Sequence, residues 1–343
     1  MLHVFPRADL LVGVIAPHMR DHNAVTRRAW ETWFSRLPGA RTHHRWFLPF
    51  EGLAFATYDT HKYDLVVSSS HAFAKMIRPT RPARHLCYCY SPPRYLWDLQ
   101  ETYRRDASVL QRLAMTVGTT PLRSIDRRSA RGVDRFVGIS TCVRDRIRRW
   151  YGRDASVVYP PLSAKATGNS GPAATGEYLL SLGRLVPYKR VDLAIIAAEL
   201  IGIRLVVAGD GPDRRRLERM AGPHTEFVGA VSEATAGSLL ENCRAFVFCA
   251  EEDFGIAPVE ANAHGRPVVA YKTAGVLDTM VDGVTAEFFE ERTVDAVVAA
   301  IQRALRREWQ ADRLKENAAR FAPEEFRAGI AREAALAVAG YRA

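Results

Sequence analysis

Residues 245–271 read AFVFCAEEDFGIAPVEANAHGRPVVAY, and the parsing of this stretch decides the fold. Ala245 to Cys249 is an apolar run of strand length. Glu251, Glu252 and Asp253 form an acidic turn, Phe254-Gly255 ends it, and Pro258 to His264 has the spacing of a short helix. Pro267 to Ala270 is a second apolar run. Strand, loop, helix and strand in that order make a parallel unit. Glu252 then lies at the carboxyl end of a strand, where open parallel sheets take their ligands. Glu260 falls in the first turn of the expected helix. There a carboxylate complements the helix dipole with no ligand needed, so both a structural and a functional reading stand.

Outward from this unit the pattern repeats. Apolar runs at 178–182, 204–208, 226–229 and 286–289 alternate with helical spacing at 191–201, 213–220, 232–242 and 293–306, and a final amphipathic helix is expected at 324–340. Regular alternation predicts a parallel sheet covered by helices on both faces. In the first half, strands are expected at 10–16, 63–69, 85–91, 134–140 and 156–160. Helices are expected at 22–35, 43–57, 94–106 and 141–151, with a further one at 107–132 broken near Gly118 and Pro121. The segment 160–177, PPLSAKATGNSGPAATGE, has the composition of a linker.

A length of 343 residues predicts two domains. The boundaries are an N-terminal domain over 1–160, a linker over 161–177, a nucleotide-binding domain over 178–322 and a helix over 323–343 that packs back toward the first domain. The charge is uneven. Residues 1–162 hold 26 Lys and Arg against 13 Asp and Glu, a net +13, whereas residues 163–343 hold 22 against 25, a net −3. Such a half suits an anionic membrane surface, a phosphorylated acceptor or nucleic acid. Nucleic acid is set aside because no recognition motif with interleaved aromatics accompanies the charge. Five cysteines without a C-x-x-C pair fit core thiols in a reducing compartment, and Cys87 with Cys89 is too small a set for a metal. No apolar run approaches the ~18 residues of a membrane span. The expected location is cytoplasmic, with peripheral contact on the inner face of the membrane.

Three more loops share the carboxyl edge of the second sheet. Gly183 ends a strand, and Arg184 and Lys189 flank the next helix, a placement suited to a diphosphate. The spacing matches neither a G-x-x-x-x-G-K-[ST] loop nor a G-x-G-x-x-G loop, which argues against a P-loop NTPase and a dinucleotide dehydrogenase. Gly209-Asp210-Gly211-Pro212 reads as a tight turn. Thr273 to Thr279 opens a helix whose N–H groups at Gly275 to Leu277 are placed to take a phosphate oxygen. Cations for a diphosphate and carboxylates for sugar hydroxyls describe a nucleotide-sugar site.

GRLVPYKRVD, AGDGP, EFVGAVSE and AEEDFGIAPVEANAHGRPVVAY, in this order, resemble the family 4 retaining glycosyltransferases of the GT-B fold. LPGARTHHRWFLPF, YDLVVSSSHAFAK, CYCYSPPRYLWDL and VDRFVGIS resemble the bacterial mannosyltransferase-like subgroup of polysaccharide and O-antigen assembly. The resemblance implies an α/β protein of two Rossmann-like parallel-sheet domains facing across a cleft. It also implies that the N-terminal domain lacks its first strand and part of its first helix. Glu252 is then placed near the transferred sugar, with Arg184 and Lys189 on the diphosphate and Glu260 on the ribose. Gly183, Gly229, Val231, Asp253, Phe254, Gly255, Ile256, Gly275 and Val276 complete the implied donor site, with the base near Gly229–Val231. His71, Tyr90 and Arg94 are the implied acceptor-side residues, Tyr90 standing where relatives carry histidine, a change expected to alter turnover or acceptor choice. The implied activity is metal-independent, cofactor-free, retaining transfer of a hexose, mannose first, from GDP-mannose or a UDP-sugar to a glycan or lipid-linked acceptor. The alternative is a degenerate homologue that binds nucleotide or glycan without turnover.

Overall fold

A computed structural model describes residues 1–16, 19, 26, 28–43, 48–70, 72–98, 109–163 and 176–339. It divides into one unit of residues 1–158 with 327–343, and a second of residues 159–326.

The second unit is one six-stranded parallel sheet. Its strands are β7 (Tyr178–Leu182), β8 (Leu205–Ala208), β9 (Thr225–Gly229), β10 (Cys243–Phe248), β11 (Val268–Tyr271) and β12 (Ala286–Phe289), in spatial order β12-β11-β10-β7-β8-β9. Every ladder is parallel. β8 and β12 are buried at every position, as strands covered on both faces must be. Residues of these strands pack with Leu193, Ile195, Ala198, Val297, Ile301 and Leu314 in one continuous core. The chain runs from β7 outward to β9, then returns to the other side of β7 to lay down β10, β11 and β12. The strand order therefore reverses between β7 and β10, and a parallel sheet opens a crevice at such a point.

The first unit has a parallel sheet of β3 (Leu65–Ser70), β4 (Arg84–Cys89), β5 (Arg135–Gly138) and β6 (Ala155–Val157) in that order, and a separate parallel pair, β1 (Leu10–Val12) with β2 (Ala29–Glu31). A buried ion pair ties its helices together. Lys75 Nζ meets Asp126 Oδ1 at 2.5 Å, and Asp126 Oδ2 accepts from Trp97 Nε1 at 2.9 Å and Tyr151 OH at 2.8 Å. The closing helix Pro323–Ala339 contributes Glu333, which pairs with Arg135 of β5, and Gly329, which lies against Val158.

Three expectations for the first unit need correction. Residues 22–35 are not one helix: β2 occupies Ala29–Glu31 and a 3₁₀ turn covers Trp33–Arg36. Long-range bonds override the helical spacing here. Arg41 grips Glu31 with Nη1 and Nη2 at 2.7 and 2.8 Å, and Ile15 N–H donates to Glu31 Oε1 at 2.8 Å. The helix expected to break near Gly118 and Pro121 runs unbroken as Val109–Ala130. Pro121 is on its exposed side, while Asp126 and Ala130 anchor the buried side. The expected helix over 43–57 is present as Leu48–Ala56, after a single turn at Ala40–His43. Residues 99–106 of another expected helix, and 164–175 of the linker, lie outside the described residues.

Candidate active site

The crevice between β7 and β10 is lined by Gly183, Arg184, Lys189, Phe248, Cys249 and Ala250, among others. Across it, Lys189 Nζ meets Glu252 Oε1 at 2.9 Å, both side chains being about four-fifths covered. Lys189 ends a 3₁₀ turn, Pro187–Lys189. Gly183 has φ +147° in the left-handed half of the map, and a Cβ there would lie 2.9 Å from the Lys189 ammonium. The glycine thus lets the ammonium lie over the strand end. Arg184 is exposed beside it and has no ion-pair partner among the described residues.

The acidic turn resolves into separate roles. Glu251 is turned aside by Arg292, whose Nη2 donates to Glu251 Oε2 at 2.8 Å while its guanidinium stacks 4.5 Å over Tyr271. Glu252 is the carboxylate of this turn that meets Lys189 in the crevice. Phe254 is buried, edge-on to Phe321 at 5.4 Å and tilted against Tyr159 at 5.9 Å. Its ring is part of the core. Val276 is likewise fully buried, whereas Ile256 is exposed.

Gly275 is packed against this turn. Its N–H donates to the carbonyl of Glu252 at 3.0 Å, and a Cβ on it would fall 2.4 Å from Phe254 Cα. In this structure the N–H groups of Gly275, Val276 and Leu277 donate to the carbonyls of Glu252, Thr273 and Ala274. The loop thereby fixes the acidic turn at the start of its short helix, Val276–Thr279.

The other loops interlock in the same way. Gly209 and Gly211 approach the carbonyls of Gly183 and Leu185 so closely that a Cβ would sit 1.9 and 2.1 Å from them. Leu185 N–H donates to Asp210 O at 2.9 Å. The turn read as structural in the sequence is thus the clamp on the cation loop. Gly229 has φ +73°, and Arg214 reaches the space its side chain would occupy. Val231 is half-buried just beyond.

Glu260 lies in Ile256–Ala263, which begins two residues earlier than the sequence suggests. It is therefore the fifth residue of the helix, and the dipole account of its placement loses force. Burial raises its pKa above the ordinary carboxylate value, and the charge of Glu233 adds to this. Glu233 was not read from the sequence as a site residue. Its signal was present: it follows the capping Ser232 at the start of Glu233–Asn242, just beyond the carboxyl end of β9.

In the first unit, Tyr90 is 41% exposed at the end of β4, and its hydroxyl meets Ser69 Oγ at 2.7 Å. Arg94 is half-buried four residues on. His71 lies outside the described residues.

Comparison with known proteins gives these features a context. Residues 165–321 match the family described as "Glycosyl transferases group 1". A GDP-mannose-dependent alpha-(1-6)-phosphatidylinositol monomannoside mannosyltransferase of Mycobacterium tuberculosis is 30% identical over 213 residues, which is 53% of this chain and 55% of that protein. A GDP-mannose-dependent alpha-mannosyltransferase of the same species is 36% identical over 122 residues, 34% of this chain and 32% of that protein. The chain spans about half the length of the curated relatives it matches. Among solved structures, sucrose-phosphate synthase from Thermosynechococcus elongatus superposes with a TM-score of 0.71 at 19% identity, covering 96% of this chain and 88% of that one. Anabaena Alr3699/HepE in complex with UDP-glucose gives 0.68 at 15% identity, covering 99% and 94%. These likenesses establish the fold as GT-B.

Proposed function

We propose that this chain, a family 4, mannosyltransferase-like protein of the GT-B fold with its group 1 glycosyl transferase region at residues 165–321, moves a hexose from a nucleotide sugar to a glycan or lipid-linked acceptor. The observation that carries the reading is the Lys189–Glu252 pair across the switch-point crevice, with Arg184 exposed beside it. A donor diphosphate placed there meets two cations. They neutralise the charge that grows on the diphosphate as it leaves, which is transition-state stabilisation without a metal. Glu252, released from Lys189 by the incoming phosphates, is placed to accept hydrogen bonds from the sugar. Glu260 accepts hydrogen bonds from the ribose hydroxyls.

The reaction in this reading keeps the anomeric configuration, and the departing phosphate takes the acceptor's proton, so no protein nucleophile is assigned. Mannose from GDP-mannose is the favoured donor, because relatives of this chain are named for that dependence. UDP-sugars are the alternative, since a protein of similar fold was solved with UDP-glucose. The acceptor side is assigned to the first unit, through Tyr90 and Arg94. No helix of the described residues is long and apolar enough to cross a membrane. Contact with a lipid-linked acceptor then falls to the surface of the basic half, where Trp30, Trp33, Phe50 and Leu53 are exposed.

The test is release of nucleoside diphosphate from GDP-mannose and from UDP-glucose, by the wild type and by Glu252→Gln and Lys189→Met. Turnover with one donor, lost in both variants, is expected. Equal turnover in all three proteins would remove these residues from the chemistry.

A further inference from the structure

We infer that Asn317 is a positioning residue that holds the two donor-side elements, the helix of Glu260 and the loop of Gly275, at a fixed separation. The inference rests on the proposed donor site and adds to it a residue on the helix Ala311–Ala319, which the sequence pattern did not reveal.

Along the chain the two elements are joined through the strand β11 between them. Glu260 belongs to Ile256–Ala263 and Gly275 precedes Val276–Thr279. A helix of four residues leaves its last carbonyls without helical partners and does not persist alone. Here those carbonyls find side chains. Asn317 Nδ2 donates to Thr279 O at 2.8 Å, and Arg320 Nη2 donates to Asp278 O at 3.1 Å. The other Asn317 Nδ2 hydrogen goes to Asn262 Oδ1, also at 2.8 Å, two residues beyond Glu260. Arg320 Nη1 closes the set by donating to Asn317 Oδ1 at 2.8 Å.

The arrangement is fully used. Asn262 spends its own Nδ2 on Arg266 O at 3.0 Å and Thr285 O at 3.3 Å. Both amides therefore have acceptors on every N–H and a donor on their carbonyl, which fixes their orientation without ambiguity. Asn262, Asn317 and Thr279 are all buried. A buried amide pair with every group satisfied defines one geometry, and partial satisfaction costs more than an apolar contact would. Leucine has the branching of asparagine with a larger volume, so it would leave no cavity and lose both bridges.

The test compares Asn317→Leu with Leu314→Ala, a buried apolar position of the same helix outside the bridge. Hydrogen exchange is read first and needs no substrate. Asn317→Leu is expected to speed exchange of the amides at Val276, Leu277, Asp278 and Met280 by about tenfold or more relative to those of β8. The donor KM is expected to rise about tenfold with a smaller change in kcat, since the loop and Glu260 no longer hold one spacing. Leu314→Ala is expected to lower the urea midpoint without either effect. Unchanged exchange at 276–280 in Asn317→Leu, or an equal change in Leu314→Ala, overturns the inference whether or not the protein is a transferase. If the wild type binds no nucleotide sugar while exchange behaves as expected, the functional reading fails and the bridge stands. Should Asn317→Leu not fold, Asn317→Ser, which keeps one donor, is read in the same way.

Discussion

Gly275→Ala adds one methyl group at the point where two loops of the candidate site touch. The new Cβ would lie 2.4 Å from Phe254 Cα and 2.5 Å from both Asp253 O and Phe254 N. Ordinary carbon contacts lie near 3.5 Å, so the loops must part by about 1 Å. Phe254 has little room to yield, because its ring is wedged between Phe321 and Tyr159. The displacement therefore passes to Asp253 and Glu252, and it stretches the bond from Gly275 N–H to Glu252 O, now 3.0 Å. The backbone at Gly275 has φ −66°, open to any residue, so the whole effect is steric. Overpacking of this kind costs about 1–3 kcal/mol, and a weakened hydrogen bond about 1 more. A misplacement of about 1 Å at a reacting group costs up to ~100-fold in rate. The assay is donor turnover with a parallel urea melt. Gly118→Ala is the control, because nothing lies within 4 Å of its Cβ in a helix interior, and a gain of about 0.5–1 kcal/mol is expected there. If Gly275→Ala keeps kcat/KM within about twofold of the wild type and melts at the same urea concentration, the contact between the loops does not set the site.

Other outcomes follow from charge and burial. Because burial raises the pKa of Glu260, donor affinity should begin to fall at a higher pH than an ordinary carboxylate would give, and Glu260→Gln should bind weakly but without that acid limb. Lys75→Met leaves Asp126 buried with only the neutral donors Trp97 and Tyr151. It should cost about 3–5 kcal/mol in a denaturant melt, and a loss below ~1 kcal/mol would mean that the pair is not holding the first unit. His85 is buried, bonded through Nε2 to Ser68 Oγ at 2.8 Å, and burial lowers its pKa to about 4. The unfolded chain takes up the proton near pH 6.5 and the folded chain does not. Its contribution to stability is therefore complete above about pH 6.5 and is lost progressively down to about pH 4, by roughly 3 kcal/mol. Urea midpoints from pH 7 to 4 should show this slope in the wild type and a flatter one in His85→Gln.

The second unit was legible because its strands are short apolar runs closed by glycine or by polar turns. Burial on both faces leaves such runs little room for another pattern. Parallel strands put every following loop on one edge, so Arg184, Lys189 and Glu252 could be grouped without coordinates. β2 was not legible. Ala29–Glu31 reads as helix locally and becomes strand through bonds to β1 and Arg41, ten residues on. Which glutamate faces the crevice was equally hidden, since Glu251 is turned away by Arg292, 41 residues later. Gly275 was noticed for its N–H, and the consequence of its missing Cβ was hidden. That depends on a close approach which only the packed structure reveals. Asn317 carried no signal, being one polar residue in an amphipathic helix.

The central claim is that the crevice between β7 and β10 binds the diphosphate of a sugar donor through Arg184 and Lys189. Isothermal titration of GDP and UDP into the wild type and the double variant Arg184→Ala/Lys189→Met tests it most directly. One of the two nucleotides should bind the wild type, and the double variant should lose about 100-fold or more in affinity, in line with about 1.5–3 kcal/mol for each charge-assisted contact. Equal affinity in both proteins, or no binding of either nucleotide to the wild type, would contradict the account.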